Sequence, residues 1–247
     1  MISLVIPAYN EVRRINATIQ SAVEYFGARQ LAYEVIVSAD GTDGTREAAR
    51  ALGQTNAAIT VIGSEVRRGK GYGIREAVKL ASGDVIGFVD ADNKTPIDEF
   101  DKFVPHLNHG CHVVIGSRGL PGSTIEQAQP WFRRWGSRGF AVFMHTAVGL
   151  PGIVDTQCGF KFFQADVAWD LFRYQQLDGY MFDVEILHIA RTRGYRIVQV
   201  PVRWRDDGDS RLNLVSGNIR NARDILSIRW LHRQLPARAG LASDAVR

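Results

Sequence analysis

Cysteine is scarce, with two residues in a chain of 247. Cys111 and Cys158 lie in separate segments without metal-ligand spacing, which argues against a disulfide framework and a zinc site. Buried free thiols and a cytoplasmic setting are the expectation. No apolar run reaches the ~18 residues that would suggest a membrane span. The N-terminus, Met1 to Ile6, lacks a basic region and meets Pro7 almost at once, so it reads as a strand and not as a secretory leader. No low-complexity tract, internal repeat or Pro/Gly/Ser linker divides the chain. One domain over residues 1–232 is expected, followed by a flexible tail over 233–247. Glycine is also missing where two nucleotide folds need it. The turn after the first strand carries Pro7-Ala8-Tyr9-Asn10-Glu11 and no G-x-G-x-x-G, which argues against an ordinary dinucleotide-binding dehydrogenase. Gly69-Lys70-Gly71 is not a P-loop, because the upstream glycine is not at the required spacing and glycine follows the lysine in place of Ser or Thr.

What is present is an ordinary globular composition, 45% hydrophobic and 23% charged, with a formal net charge of +4. The basic residues cluster at Arg67/Arg68/Lys70, at Arg133/Arg134/Arg138 and along the last helical segment. An anionic ligand is the natural partner. Nucleic acid is not expected, since no stretch interleaves aromatic and basic residues.

β-Branched runs alternate with helix-period segments, the pattern of an α/β fold with a mostly parallel sheet covered on both faces. Strands are expected over 3–6, 33–38, 59–62, 85–89, 112–115, 160–163 and 196–202. Helices are expected after Asn10 as N-cap, over 45–52, 73–81, 95–107, 132–148, 182–193 and 215–230. In such sheets ligands gather beyond the carboxyl ends of the strands. Pro7–Glu11, Asp40–Thr45, Asp90-Ala91-Asp92 and Gly116-Ser117-Arg118 all fall there.

Asp90-Ala91-Asp92 follows the apolar run Val85–Val89, so two carboxylates leave the sheet together. Such a pair suits a hard divalent cation, Mg²⁺ or Mn²⁺, that keeps open positions for diphosphate oxygens; a solvated turn is the alternative. Asp40-Gly41-Thr42-Asp43-Gly44-Thr45 offers a carboxylate to a base or ribose, or else an Asp-Gly turn and a helix cap.

Ile6-Pro7-Ala8-Tyr9-Asn10-Glu11, the Asp-Gly-Thr-Asp-Gly-Thr run, Arg67-Arg68-Gly69-Lys70-Gly71 and Asp90-Ala91-Asp92, in this order and spacing, resemble the family 2 inverting glycosyltransferases with a GT-A fold. Further on, Gly116-Ser117-Arg118, Arg133-Arg134 with Ser137-Arg138, Asp155–Lys161, Phe182–Glu185 and Val200–Trp204 resemble the polyprenyl-phosphate branch, and its dolichyl-phosphate β-glucosyl members more than its mannosyl ones. The likeness spans roughly residues 1–232 and implies a mixed, mostly parallel sheet with helices on both faces. Two positions depart from the pattern. Ala39 stands where a first aspartate is usual, leaving open whether Asp40 or a neighbour meets the base. Asn93-Lys94-Thr95 follows Asp92 where mannosyl members often carry a metal-binding glutamine.

The resemblance implies transfer of a hexose, glucose from UDP-glucose, onto a polyprenyl or dolichyl phosphate. Asp90 and Asp92 would hold the metal. Pro7, Tyr9, Glu11, Asp40, Lys70, Asp90 and Asp183 would bind the donor. Arg118, Arg134, Arg138 and Lys161 would bind the acceptor phosphate, and Asp92, Asp155 and Arg118 would serve the chemistry. A loop around Asp206–Ser210, flanked by Arg203, Arg205 and Arg211, would act as a lid. The last helix sets Ile219, Ala222, Leu226 and Trp230 among arginines, which suits packing on the domain or contact with the inner face of an anionic membrane. A family 2 enzyme with a soluble or polysaccharide acceptor, mannosyl transfer from GDP-mannose, and a non-catalytic sugar-nucleotide sensor are the alternatives.

Overall fold

The computed structural model describes residues 1–125, 148–205 and 216–236, with side chains from 220 onward in the last of these. Strands β1 (Ile2–Tyr9), β2 (Tyr33–Asp40), β3 (Ile59–Ile62), β4 (Val85–Val89), β5 (Val113–Ser117), β7 (Phe160–Gln164) and β8 (Ile197–Pro201) form one sheet in the order β3-β2-β1-β4-β7-β5-β8. β6 (Thr124–Ile125) and β9 (Arg203–Trp204) pair in a separate parallel ribbon. The pairs from β3 through β1 to β4 are parallel, β7 runs antiparallel to both β4 and β5, and β5 is parallel to β8. The sheet is mixed and mostly parallel, as expected, and the single inserted strand β7 supplies its antiparallel pairs.

Helices α1 (Ile15–Ala28), α2 (Thr45–Thr55), α3 (Lys70–Val78), α4 (Val104–Asn108), α5 (Ala165–Tyr174), α6 (Phe182–Thr192) and α7 (Ser216–Leu231) cover the sheet. Alternate residues of a strand face opposite ways, so β1 feeds two cores. Val5 packs with Ile74, Phe88, Phe163, Phe182, Ile225 and Ile228 on one face. Leu4 and Ile6 pack with Ile15, Ile19, Phe26, Phe100 and Phe162 on the other. A strand buried on both faces has no polar side to alternate with, and so reads as a continuous apolar run.

Several boundaries differ from the sequence reading. Asn10 does not cap α1: it sits at φ 55, and the helix begins five residues later with Arg14 as its N-cap. α3 starts at Lys70, three residues before the expected position. The helix expected over 95–107 is split into a 3₁₀ turn at Ile97–Lys102 and the short α4. Pro105 has no amide hydrogen, which removes the bond that would have joined the two. α5 was not expected at all; it follows β7 without a loop, and Gln164 is already its N-cap. The helix expected over 132–148 lies outside the described residues, apart from its last position.

Candidate active site

β4 ends at Val89, and the backbone then turns, with Asp90 N–H donating to Gly159 O at 3.1 Å. The fit at this crossing is close: a Cβ on Gly159 would come within 2.0 Å of Asp90 Oδ2. Glycine is therefore required where the loop before β7 passes the carboxylate. Asp90 is 42% exposed and Asp92 23% exposed at the side chain. Burial and the neighbouring Asp90 charge push the Asp92 carboxyl above its usual range, the Lys94 amide and ammonium offsetting only part of this. Two carboxylates in one partly dry turn repel each other and are relieved by a cation. Among the described residues no third His, Cys, Asp or Glu joins them in a metal-binding group. The pair fits a hard divalent ion that takes its other ligands from water or phosphate oxygens.

Lys70, the first residue of α3, reaches Asp90 Oδ1 at 2.7 Å and Asp183 Oδ2 at 3.7 Å. Asp183 stands in the first turn of α6, where a carboxylate meets the positive end of the helix. Behind it, Lys161 Nζ donates to Asp183 Oδ1 at 2.5 Å and to Cys158 O at 2.7 Å. Lys161 is fully buried and Asp183 is 2% exposed. Lys161 was expected at the acceptor phosphate. Its ammonium instead ends inside the protein, because β7 points that side chain into the core between β4 and β5. Asp183, expected to touch the donor, likewise reaches the site only through Lys70.

On the other side of β4, Arg118 follows β5 and grips Asp155 through Nε at 2.7 Å and Nη2 at 3.0 Å. Burial alone would raise the Asp155 carboxyl; Arg118 more than offsets this and holds it below the usual range. The Arg118 guanidinium and the Lys94 ammonium lie 5.4 and 5.6 Å from the Trp204 ring centre. Trp204 had no assigned role in the sequence, where it stood only as the last residue of the Val200–Trp204 run. Arg203, expected beside a lid, is instead tied to Asp98 and Glu99 at 2.5 Å each. Arg134, Arg138, Arg133, Arg211 and the Asp206–Ser210 loop lie outside the described residues.

The first two loops are locked together. Asp43 accepts from the Val12 amide at 3.1 Å and from both Thr45 donors, while Thr45 Oγ1 accepts from the Glu11 amide at 2.8 Å. Pro7 pairs in register with Ser38, and Tyr9 with Asp40. Asp40 accepts from the Ser64 and Arg68 amides at 3.1 and 2.7 Å, so it shapes the strand-three loop. Arg67 lies over the Tyr9 ring at 4.3 Å and bonds Tyr180 Oη at 3.3 Å. Tyr180, missed by the sequence reading, thus faces Tyr9 across that guanidinium. Glu11 carries an ion pair to Arg14 at 3.6 Å.

A dolichyl-phosphate beta-glucosyltransferase, ALG5C of Trichomonas vaginalis, is 34% identical over 239 residues, covering 92% of this chain and 70% of that relative. The human dolichyl-phosphate beta-glucosyltransferase is 32% identical over 243 residues, covering 92% of this chain and 74% of its own length. Among solved structures, Mycobacterium tuberculosis glucosyl-3-phosphoglycerate synthase in complex with Mn²⁺, UDP and phosphoglyceric acid superposes with a TM-score of 0.66 at 20% identity, over 96% of this chain and 79% of that one. Mannosyl-3-phosphoglycerate synthase from Rubrobacter xylanophilus gives 0.68 at 17% identity, over 98% and 78%. Residues 3–172 match the model of glycosyl transferase family 2. On that match, and with a sheet that brings Asp90 and Asp92 to the carboxyl end of a central strand, the chain belongs to glycosyl transferase family 2 and is a glycosyltransferase with a GT-A fold.

Proposed function

We propose that the protein transfers glucose from UDP-glucose to a dolichyl or other polyprenyl phosphate, with inversion at the anomeric carbon. The names of the relatives support glucose and the lipid phosphate, and the Mn²⁺ and UDP complex of a neighbouring fold supports a uridine donor. The observation that carries the reading is the Asp90/Asp92 pair, with Lys70 on one side and the Arg118–Asp155 pair on the other.

In this reading an oxygen of the acceptor phosphate forms a bond to C1 of glucose as the bond from C1 to the β-phosphate oxygen breaks, and UDP departs. A phosphate is already anionic at neutral pH, so the acceptor needs placement and not a base. Arg118 supplies it, its fork oriented by Asp155 and its plane set beside Trp204. The family resemblance adds Arg134 and Arg138, which lie outside the described residues, to the acceptor phosphate. Asp90 and Asp92 would hold a Mg²⁺ or Mn²⁺ ion, which would supply Lewis-acid stabilisation of the leaving diphosphate. Lys70 neutralises the same charge from the side of α3. Pro7, Tyr9, Glu11 and Asp40 border the nucleoside, with Arg67 as a cationic shelf over Tyr9. Asp183 and Lys161 hold Lys70 in place and touch neither substrate.

The acceptor is a lipid, and α7 carries a matching surface. Ile225 and Ile228 pack inward, whereas Leu226 and Trp230 are 62% and 63% exposed. Arg223 falls at helical spacing on the same stripe, Arg233 follows two residues past the end of α7, and both are exposed. An apolar stripe edged by arginines suits the interface of an anionic membrane. No helix among the described residues is long and apolar enough to cross one.

The test is a donor screen: the purified protein, polyprenyl phosphate and Mn²⁺, with UDP-glucose, UDP-galactose and GDP-mannose in parallel, read by mass spectrometry of the lipid product. Glucosyl lipid from UDP-glucose alone is the expected result. A mannosyl product from GDP-mannose, or no lipid product from any donor, would overturn it.

A further inference from the structure

We propose that Lys70 is a built-in counter-ion that competes with the divalent cation for Asp90, so that cation and nucleoside diphosphate bind as one coupled event. The inference rests on the metal-dependent reading above and adds an order to it.

Four charges alternate along one row from core to surface: Lys161, Asp183, Lys70, Asp90. Lys161 and Asp183 lie 2.5 Å apart, Asp183 and Lys70 3.7 Å, and Lys70 and Asp90 2.7 Å. The row is balanced as it stands, two cations against two anions. Asp92 adds one further negative charge beside it, partly offset by the Lys94 ammonium at 3.8 Å. Lys70 holds one of the two Asp90 oxygens, Oδ1, so a divalent ion arriving alone must share the carboxylate with Lys70 or displace it, and either way two cationic centres stand within a few ångströms of each other. A nucleoside diphosphate changes the sum. It brings the negative charge that the extra cation requires, and it offers phosphate oxygens to an ammonium with three donors to place.

Lys70 cannot simply withdraw from this exchange. Its ammonium lies 5.8 and 5.7 Å from the Phe88 and Phe182 ring centres, which wall it in, and Asp183 holds it from behind. Its backbone is fixed as well. Gly69 stands at φ 113, where a Cβ would come within 2.2 Å of Asp178 O, and that same carbonyl accepts from the Tyr72 amide at 3.2 Å. The start of α3 is thereby pinned to the loop before α6. Walled by the two rings and tied to Asp183, the ammonium exchanges Asp90 for an incoming phosphate while staying within the site. Because binding is reciprocal, a nucleotide that tightens the cation is tightened by it to the same degree, and couplings of this kind are worth roughly 5- to 150-fold.

The test is Mn²⁺ binding by the full chain, followed through the electron paramagnetic resonance signal of free Mn²⁺, with and without UDP, for the wild type and Lys70→Met. In the wild type, UDP should tighten Mn²⁺ by about 5-fold or more. Lys70→Met should bind Mn²⁺ more tightly than the wild type when UDP is absent, and the gain from UDP should shrink. Lys70→Gln, which keeps a polar head without the charge, gives the same reading if the methionine variant fails to fold by circular dichroism. Wild-type coupling that persists unchanged in both variants overturns the role of Lys70 alone. A wild type that binds no Mn²⁺ even with UDP overturns both this inference and the metal-dependent reading beneath it.

Discussion

Arg118 holds Asp155 with three donors at once: its Nε at 2.7 Å, its Nη2 at 3.0 Å and its own backbone amide at 3.0 Å. The Asp155 side chain is 11% exposed. The pair ties the end of β5 to the loop before β7, and so sets the distance between the Arg118 guanidinium and the Asp90/Asp92 turn. Its charge is what fixes the geometry. Asp155→Asn should destabilise the protein by about 3 kcal/mol, because it leaves the Arg118 charge without its partner.

That loss has a definite pH dependence. The Asp155 carboxyl is held below its ordinary range in the folded protein. Its stabilising effect is therefore complete above the unfolded value of ~3.9 and is lost as pH falls through the lower folded value. The difference in melting temperature between wild type and Asp155→Asn should be constant from about pH 8 to pH 5 and should narrow only in more acid solution. A difference that already narrows near neutral pH would contradict the assignment.

Lys161 and Asp183 form a pair with almost no access to water. Removing one partner strands the other charge in the core, at about 3–5 kcal/mol. Asp183→Asn and Lys161→Met should each lower the urea midpoint steeply, and the double variant should recover much of the loss. Additive losses would show that the two side chains act independently.

Asp92 differs in sign. Burial and the Asp90 charge raise its carboxyl, so the ionised form opposes folding at neutral pH, which offsets the bond that Asp92 accepts from the Lys94 amide at 3.2 Å. Asp92→Ala should melt at the same temperature as the wild type or slightly higher. Its turnover should fall on the order of 100-fold or more, beyond the effect of losing a group that only supports a metal ligand. Undiminished activity in this variant with the cation chelated would sink the role given to the pair.

Leu226 and Trp230 offer a test of the membrane surface. Replacing both with serine removes two exposed apolar side chains without touching Ile225 and Ile228, which do the packing. Co-sedimentation with anionic vesicles should drop by roughly tenfold or more, given ~1.5–3 kcal/mol for each large apolar side chain buried. Turnover on a short, water-soluble polyprenyl phosphate should stay unchanged.

How much of this was readable in advance follows from what each feature depends on. The sheet was legible because strands buried on both faces are apolar throughout, as in Leu4-Val5-Ile6 and Val85–Val89. The Asp90/Asp92 turn was legible because strand ends carry the ligand-facing groups of such a sheet. The antiparallel course of β7 was not, since direction leaves no mark on Phe160–Phe163. Lys161 was misplaced for a related reason: a lysine among the phenylalanines of a strand carries no local sign of the aspartate that neutralises it from a helix 22 residues on. Trp204 and Tyr180 depend on distant partners, Arg118 and Lys94 for one and Arg67 for the other, and sequence order does not show those meetings. α5 was missed because Ala165–Tyr174 follows a strand directly, with no turn residues to announce it.

The most direct test of the account is an acceptor competition. The purified protein is given UDP-glucose and Mn²⁺ with polyprenyl phosphate, 3-phosphoglycerate and inorganic phosphate present together, and every glucosylated product is identified by mass spectrometry and the anomeric proton coupling. The account predicts a single product, β-glucosyl phosphoryl polyprenol, that disappears when the cation is chelated. Glucose on a soluble phosphate, an α-linked lipid, or lipid product formed equally well without the cation would contradict it.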